Sequence, residues 1–284
     1  MRLFLLSCLV MVAFAANSVL NRLALAGGAS GGDIGPATFA AVRLGAGAMV
    51  LAGLVLARGG RVPLVAPGRL VGAGSLALYM LGFSFAYLTL DAGLGALILF
   101  GGVQITMFAG AVLAGEAIPP RRWAGAAVAF GGLAWLLWPA GAGAPDPLGA
   151  GLMAAAALGW GIYSLAGRRA ADPLAATAAN FALALPVALV ALAVAQDGGG
   201  TTSRGIALAV ASGAVTSGLG YALWYRVLPG LASSQAAVAQ LTVPVIALAG
   251  GAAVLAEAPS ARMLMAGAVV LAGVALAALK GRAR

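Results

Sequence analysis

The chain has 284 residues, of which 63% are hydrophobic and 8% charged, and its formal net charge is +9. A soluble domain carries about 25% charged residues, so a soluble globular protein is excluded and lipid must be the solvent. In hydrocarbon every backbone polar group needs an internal partner, which leaves helices or closed barrels. Apolar runs of about 20 residues, in place of alternating segments of about ten, decide for helices.

Hydropathy predicts ten spans, with ends good to a few residues: Leu3–Ala26, Pro36–Ala57, Leu70–Leu90, Leu94–Ala114, Trp123–Ala140, Leu148–Gly167, Leu174–Ala195, Ile206–Tyr225, Ala232–Ala256 and Met263–Leu279. The breaks between them are short and use turn chemistry, such as GGASGGD after span 1 and GEAIPPRR after span 4. No loop can hold a folded extramembrane domain. Met1, Arg2 and the apolar run to Ala26 imitate a signal peptide. The distal half of that run recurs inside the chain, however, so it is expected to be a retained first span.

That recurrence organises the sequence. Phe14–Arg22 reads FAANSVLNR, and Trp160–Arg168 reads WGIYSLAGR, which sets Phe14 on Trp160, Asn17 on Tyr163, Ser18 on Ser164 and Arg22 on Arg168. Later in each half LAGEAIPPRRWAG around Glu116 echoes LAEAPSARMLMAG around Glu257. The paired glycines Gly125 and Gly131 then match Gly267 and Gly273, and are expected to let helices approach closely. One unit is used twice: residues 1–140 and 147–284 are each expected to form a five-helix repeat. Five is odd, so the second copy enters the membrane upside down. Inverted repeats place a substrate site near the midplane and let the copies rock around it.

Basic residues give the orientation. With the N-terminus in the cytoplasm, the cytoplasmic side holds Arg2, Arg58, Arg61, Arg69, Arg121, Arg122, Arg168, Arg169, Arg226, Lys280, Arg282 and Arg284, and the other side only Arg22, Arg204 and Arg262. Both termini of this multi-pass, inner-membrane chain are therefore expected in the cytoplasm. The basic residues are scattered between apolar spans and form no nucleic-acid surface. Cys8 is the single cysteine, histidine is absent, and the seven carboxylates are dispersed. No disulfide, metal cluster or cofactor is expected. Lipid and a small-molecule substrate are the expected partners, with the chain acting as a monomer.

Ten spans in two halves, the aromatic stretch of the first helix in each, and TVPV-to-LAEA in span 9 together resemble the EamA branch of the drug/metabolite transporter superfamily. The resemblance covers the whole chain, and the order and repetition of the motifs carry it. Half 1 departs from the pattern, with Phe14 for the tryptophan and Gln104 near the position matching Pro244. The resemblance implies a ten-helix exporter of amino acids or other small metabolites, and the chain looks most like the YddG-type exporters of aromatic amino acids.

Polar residues in hydrocarbon are costly and face the bundle interior. Asn17, Asn21, Gln104, Asn180 and Gln240, with Tyr79, Phe83, Trp160, Tyr163 and Tyr221, are the candidate substrate-binding residues. Such a pocket mixes aromatic walls with neutral hydrogen-bonding groups, which suits a zwitterion with an aromatic or apolar side chain. Interhelical glue is the alternative for each polar member. Tyr87, Trp224 and Tyr225 sit near span ends, where interfacial aromatic belts are expected. Pro244 is expected to bend span 9 and free the carbonyl of Gln240. Glu116 and Glu257 are expected to pin the starts of helices 5 and 10.

Arg43 is the only charge well inside a span. It either snorkels to the outer interface or stays to bind backbone carbonyls, Asn17, Asn21 or a substrate carboxylate. With no carboxylate or histidine at mid-depth, transport should depend little on a proton gradient. An intramembrane enzyme acting on lipids would need a nucleophile with a base, a carboxylate pair or a metal site, and none of these is visible. A non-transporting scaffold would not need paired polar residues at mid-depth. Efflux of cationic drugs is the runner-up within transport, and it lacks the buried carboxylate that such a site offers.

Overall fold

The computed structural model describes residues 1–26, 32–139, 144–167, 170–195, 200–231 and 233–278. It is all-helical. The helices are α1 (Arg2–Leu25), α2 (Pro36–Ala57), α3 (Arg69–Ala86), α4 (Ala92–Leu113), α5 (Pro120–Leu137), α6 (Pro147–Gly167), α7 (Pro173–Ala195), α8 (Ser203–Gly230), α9 in two pieces (Ser233–Gln240 and Thr242–Leu255) and α10 (Ala261–Ala278). Among the described residues nine of these are long and apolar enough to cross a membrane. The tenth, α5, opens on Arg121 and Arg122. Four helices begin on proline, whose fixed φ suits the first turn and whose missing N–H costs nothing there. The outer faces carry exposed Leu9, Met49, Phe130, Val190, Val254 and Met265, the surface that lipid must cover.

The principal packing partners are α2 on α7, α5 on α10, α3 on α6, and α1 on α8 and α9, with α4 between α6 and α9. Small residues permit these contacts. A Cβ on Gly125 would stand 2.5 Å from the carbonyl oxygen of Gly273, and one on Gly273 would stand 2.5 Å from the amide of Ala129. Gly131, read from the sequence as the partner of Gly125, faces open space. Gly132 meets Val270 instead.

α8 departs from α geometry. Ala211–Leu219 is π-helical, closing i→i+5 turns. At Gly213 its backbone touches α2: a Cβ there would lie 2.3 Å from the carbonyl oxygen of Arg43. α9 breaks at Leu241, three residues before Pro244, so the expected interruption falls where the proline removes the donor for Gln240.

The two ends of the bundle differ. At the end away from the termini, Arg22 donates from Nε to Glu257 (3.0 Å) and from Nη1 to the carbonyls of Tyr87 (3.0 Å) and Leu88 (3.2 Å), and its Nη2 lies 3.6 Å from Asp91. Glu257 also accepts from the amide of Ala92 at 2.8 Å. It therefore pins the start of α4, not of α10: the helix-dipole chemistry expected of it acts on a different helix. Ala256, in the left-handed region at φ 55°, turns the chain just before it. Arg204 with Asp33, Thr89 with Asp146, and Arg262 with the carbonyls of Trp135 and Trp138 complete this end. At the terminus end Arg58 pairs with Asp172, and the guanidinium holds that carboxyl below its ordinary pKa.

Two substitutions test the packing. Gly213→Ala is expected to cost about 1–3 kcal/mol by forcing two backbones apart. Gly45→Ala, with nothing within 4 Å of its Cβ, should leave thermal unfolding in detergent unchanged. Equal melting temperatures for the two would refute backbone contact between α2 and α8. Glu257→Gln is expected to lower stability by about 1–3 kcal/mol, since it strips charge from a half-buried, multiply bonded carboxylate.

Candidate functional site

The π segment carries Ser212, Thr216 and Ser217, all buried. Asn17 Oδ1 accepts from the hydroxyls of Ser212 (2.8 Å), Thr216 (2.5 Å) and Ser217 (3.4 Å). Ser217 Oγ in turn accepts from Arg43 Nε at 3.1 Å, and Arg43 Nη2 donates to the Tyr79 hydroxyl at 3.1 Å. The guanidinium lies 5.5 Å from the Tyr79 ring centroid and 5.0 Å from that of Phe83. Arg43 is 0% exposed, so it does not snorkel. Its Nη1 is buried without a partner, and among the described residues the ion pairs leave it out. A central arginine costs about 2.5–3.5 kcal/mol to insert. Two aromatic faces and two hydroxyls offset part of that cost.

Aromatic side chains from both halves gather next to this network. Trp160 stacks on Tyr163 (5.2 Å between centroids, 25° between planes) and lies 4.9 Å from Tyr79 and 5.1 Å from Tyr221. Phe14 meets Tyr221 and Trp224 edge-on at 5.7 and 5.9 Å. These rings surround a narrow space lined by Phe14, Asn17, Tyr79, Phe83, Trp160 and Tyr221, closed off by Leu99 and Phe100. Phe14, Trp160 and Tyr221 also line a cavity of about 730 Å³. Gln104, Tyr163, Trp224, Tyr225 and Gln240 form more of its wall. Its rim is Glu116, Arg122, Gly167, Pro173, Leu231 and Ala278, all at helix ends on the terminus side. None of the lining residues comes from the opposite end. The cavity is thus open toward the termini and blocked beyond the aromatic layer, on the side of the Arg22–Glu257 cluster.

Eight of the eleven residues singled out from the sequence line one of these two spaces: Asn17, Tyr79, Phe83, Gln104, Trp160, Tyr163, Tyr221 and Gln240. Three do not. Arg43 stands one layer behind Tyr79 and Phe83. Asn180 accepts from Arg69 Nη1 at 3.1 Å and packs under Gly72, which makes it a tie between α3 and α7. Asn21 is fully buried, with neither amide atom hydrogen-bonded, and it lines neither of these two spaces.

The expected interfacial belt is corrected. Tyr87 is 0% exposed and stacks edge-on with Phe83, while Trp224 and Tyr225 line the cavity. Thr177 joins Tyr225 (3.1 Å) to Tyr163 (2.8 Å). The exposed tryptophans at helix ends are Trp123, Trp135 and Trp138, because depth from a span end does not say which face a residue takes. Glu116 reaches the cavity rim in addition to any role at the start of α5. Ser212, Thr216 and Ser217 escaped the sequence reading. Their spacing, S-x3-T-S in an apolar span, was the available signal.

Residues 147–279 match the EamA-like transporter family. The chain is also 45% identical over 275 residues to an uncharacterised protein of Pseudomonas aeruginosa, PA1977, covering 97% of this chain and 94% of that one. The chain belongs to the EamA-like transporter family. A solved chain described only as "Crystal structure of protein" shares this fold, with a TM-score of 0.65 at 22% identity over 94% of this chain and 96% of that one. EamA proteins are transporters, not enzymes. The cavity accordingly belongs to a multi-pass membrane transporter of small molecules.

Trp160→Ala is expected to reduce transport of aromatic substrates more than aliphatic ones, since ring stacking and apolar area are lost together. An equal loss for every substrate would mark Trp160 as packing alone.

Proposed function

We propose that the protein exports amino acids with aromatic or apolar side chains across the inner membrane, by alternating access at the cavity between its two halves. The supporting observation is the cavity itself. Trp160, Tyr163, Tyr221, Trp224 and Phe14 supply apolar ring faces, while Asn17, Gln104 and Gln240 supply neutral amides. It opens at one end only. The two halves are related as inverted repeats in this reading. Exchanging each helix for its counterpart turns α3–α6 into α8–α1 and α4–α6 into α9–α1, and leaves α2–α7 and α5–α10 as self-pairs. All of these contacts occur. Such exchange symmetry lets the seal and the opening swap ends. Twelve basic residues against three support a cytoplasmic position for the termini, and with them for the open end.

One observation favours the alternative of cationic drug efflux: Glu116 stands at the cavity rim. It is exposed and accompanied there by Arg122, so it offers no desolvated counter-charge.

Uptake into proteoliposomes of labelled phenylalanine, tryptophan, leucine and alanine, beside a panel of cationic dyes, tests the assignment. Aromatic and apolar amino acids should be taken up in preference to dyes, with initial rates little changed when a pH gradient is collapsed. Transport of dyes alone would establish efflux instead. In a Cys8→Ala background, Val65→Cys should label only from the cytoplasm and Thr201→Cys only from outside. Labelling of both from one side would end the inverted-repeat reading.

A further inference from the structure

The direction of the hydrogen bonds around Arg43 fixes what the deep end of the cavity can offer a ligand. A guanidinium only donates. Ser217 Oγ and the Tyr79 oxygen must therefore spend lone pairs on it. Ser217 is left with one proton, and Asn17 lies 3.4 Å from it. The hydroxyls of Ser212 and Thr216 point at the same Asn17 atom at 2.8 and 2.5 Å, which makes that atom the carbonyl oxygen. With that oxygen engaged, the amide group of Asn17 is left to donate. Tyr79, its oxygen held by a positive charge, is likewise left with its proton to donate, to the neighbouring Tyr221 hydroxyl or to a ligand.

Asn17 and Tyr79 both line the narrow space beyond the aromatic rings. Trp160, the indole of that wall, is also a donor only. Tyr221 is the single polar group there able to accept, and it is neutral. The nearest fixed charge is the guanidinium of Arg43, with Nη1 buried and unpartnered and with no carboxylate among its contacts.

We propose that Tyr79 and Asn17, positioned by Arg43, present paired donors to a carboxylate in the narrow space just beyond the aromatic rings of the cavity, so that the anion of the ligand is recognised there in preference to an ammonium group. This rests on the transport reading above and refines it: the cavity takes carboxylates carrying an aromatic or apolar tail, amino acids among them, and an α-amino group is dispensable. Arg43 acts through Tyr79 and Asn17. It is a positioning residue, and its charge sets the sign of the potential at the deep end.

The test is a competition measurement on the purified full-length transporter, with 3-phenylpropionate, its neutral amide 3-phenylpropanamide, phenethylamine and phenylalanine against labelled phenylalanine. Phenylpropionate should compete within a few-fold of phenylalanine, while the amide and phenethylamine should be at least about tenfold weaker. Tyr79→Phe keeps the ring and removes the donor, and Arg43→Gln removes the charge. Each should collapse the acid-to-amide preference toward one. Arg43→Lys keeps a charge but cannot bridge Ser217 and Tyr79 with one fork, so it should recover part of that preference.

Because the readout is a ratio between two ligands of the same shape, a variant that merely packs badly loses both equally and leaves the ratio intact, which would overturn the proposal. Competition by phenethylamine as strong as by phenylpropionate would overturn it as well. Phenylalanine binding without any binding of phenylpropionate would sink the paired-donor site yet leave amino-acid transport standing. Failure of phenylalanine itself, with dyes bound, would remove the transport reading.

Discussion

One positive charge held at depth without a negative partner constrains the centre of this protein. With no carboxylate beside it among the described residues, the surroundings of Arg43 compensate its charge by other means: Ser217 and Tyr79 as acceptors, Phe83 and Tyr79 as ring faces. Each of these demands something of the backbone. Ser217 reaches Arg43 because α8 is underwound into a wider π turn, and α8 comes near enough because residue 213 has no side chain. Tyr79 is held between the charge on one side and Trp160 on the other, which ties α3 of the first half to α6 of the second. Removing the charge would relieve a penalty and dismantle an arrangement at once. That is the pattern of a residue kept for function more than for stability.

The seal is built on different chemistry from the centre. At the blocked end full charges meet one another near water, with Arg22 gathering two carboxylates and two carbonyls. At the centre a single charge, Arg43, meets only neutral groups and rings. The Arg22–Glu257 cluster is a clamp of charged partners that costs stability to break, whereas the desolvated network at the centre holds its geometry because leaving one member unpaired is expensive. Glu257 belongs to the clamp, bonding Arg22 and the first amide of α4 across the boundary between the halves.

Much of this was legible in the sequence. Composition alone decided for lipid, and the ten spans fall on the ten helices because apolar run length is set by bilayer thickness and little else. The aromatic pocket members Tyr79, Phe83, Trp160 and Tyr221 followed from depth. Facing was not legible where depth was the sole guide. Tyr87, Trp224 and Tyr225 lie near span ends and still point inward, whereas Asn180 is deep and serves a neighbouring arginine. Glu257 showed its helix-pinning chemistry but not its helix, because a loop residue can cap whichever N-terminus tertiary packing brings to it. The π turn was hidden for a related reason. Its local residues, ASGAVTSGL, are compatible with an α-helix, and only the contacts of Ser212 and Ser217 with Asn17 and Arg43 select the wider form.

That wider turn has a consequence for register. Past Leu219 the helix resumes α geometry, but it does so with its face already rotated by the extra residue per turn, and Tyr221 and Trp224 leave on the side that faces Phe14. Wound as a plain α-helix, the nine residues 211–219 would turn further at each step. Everything after them would swing off its present face. Tyr221 would then turn from the cavity, with every residue of the aromatic wall still present in the sequence.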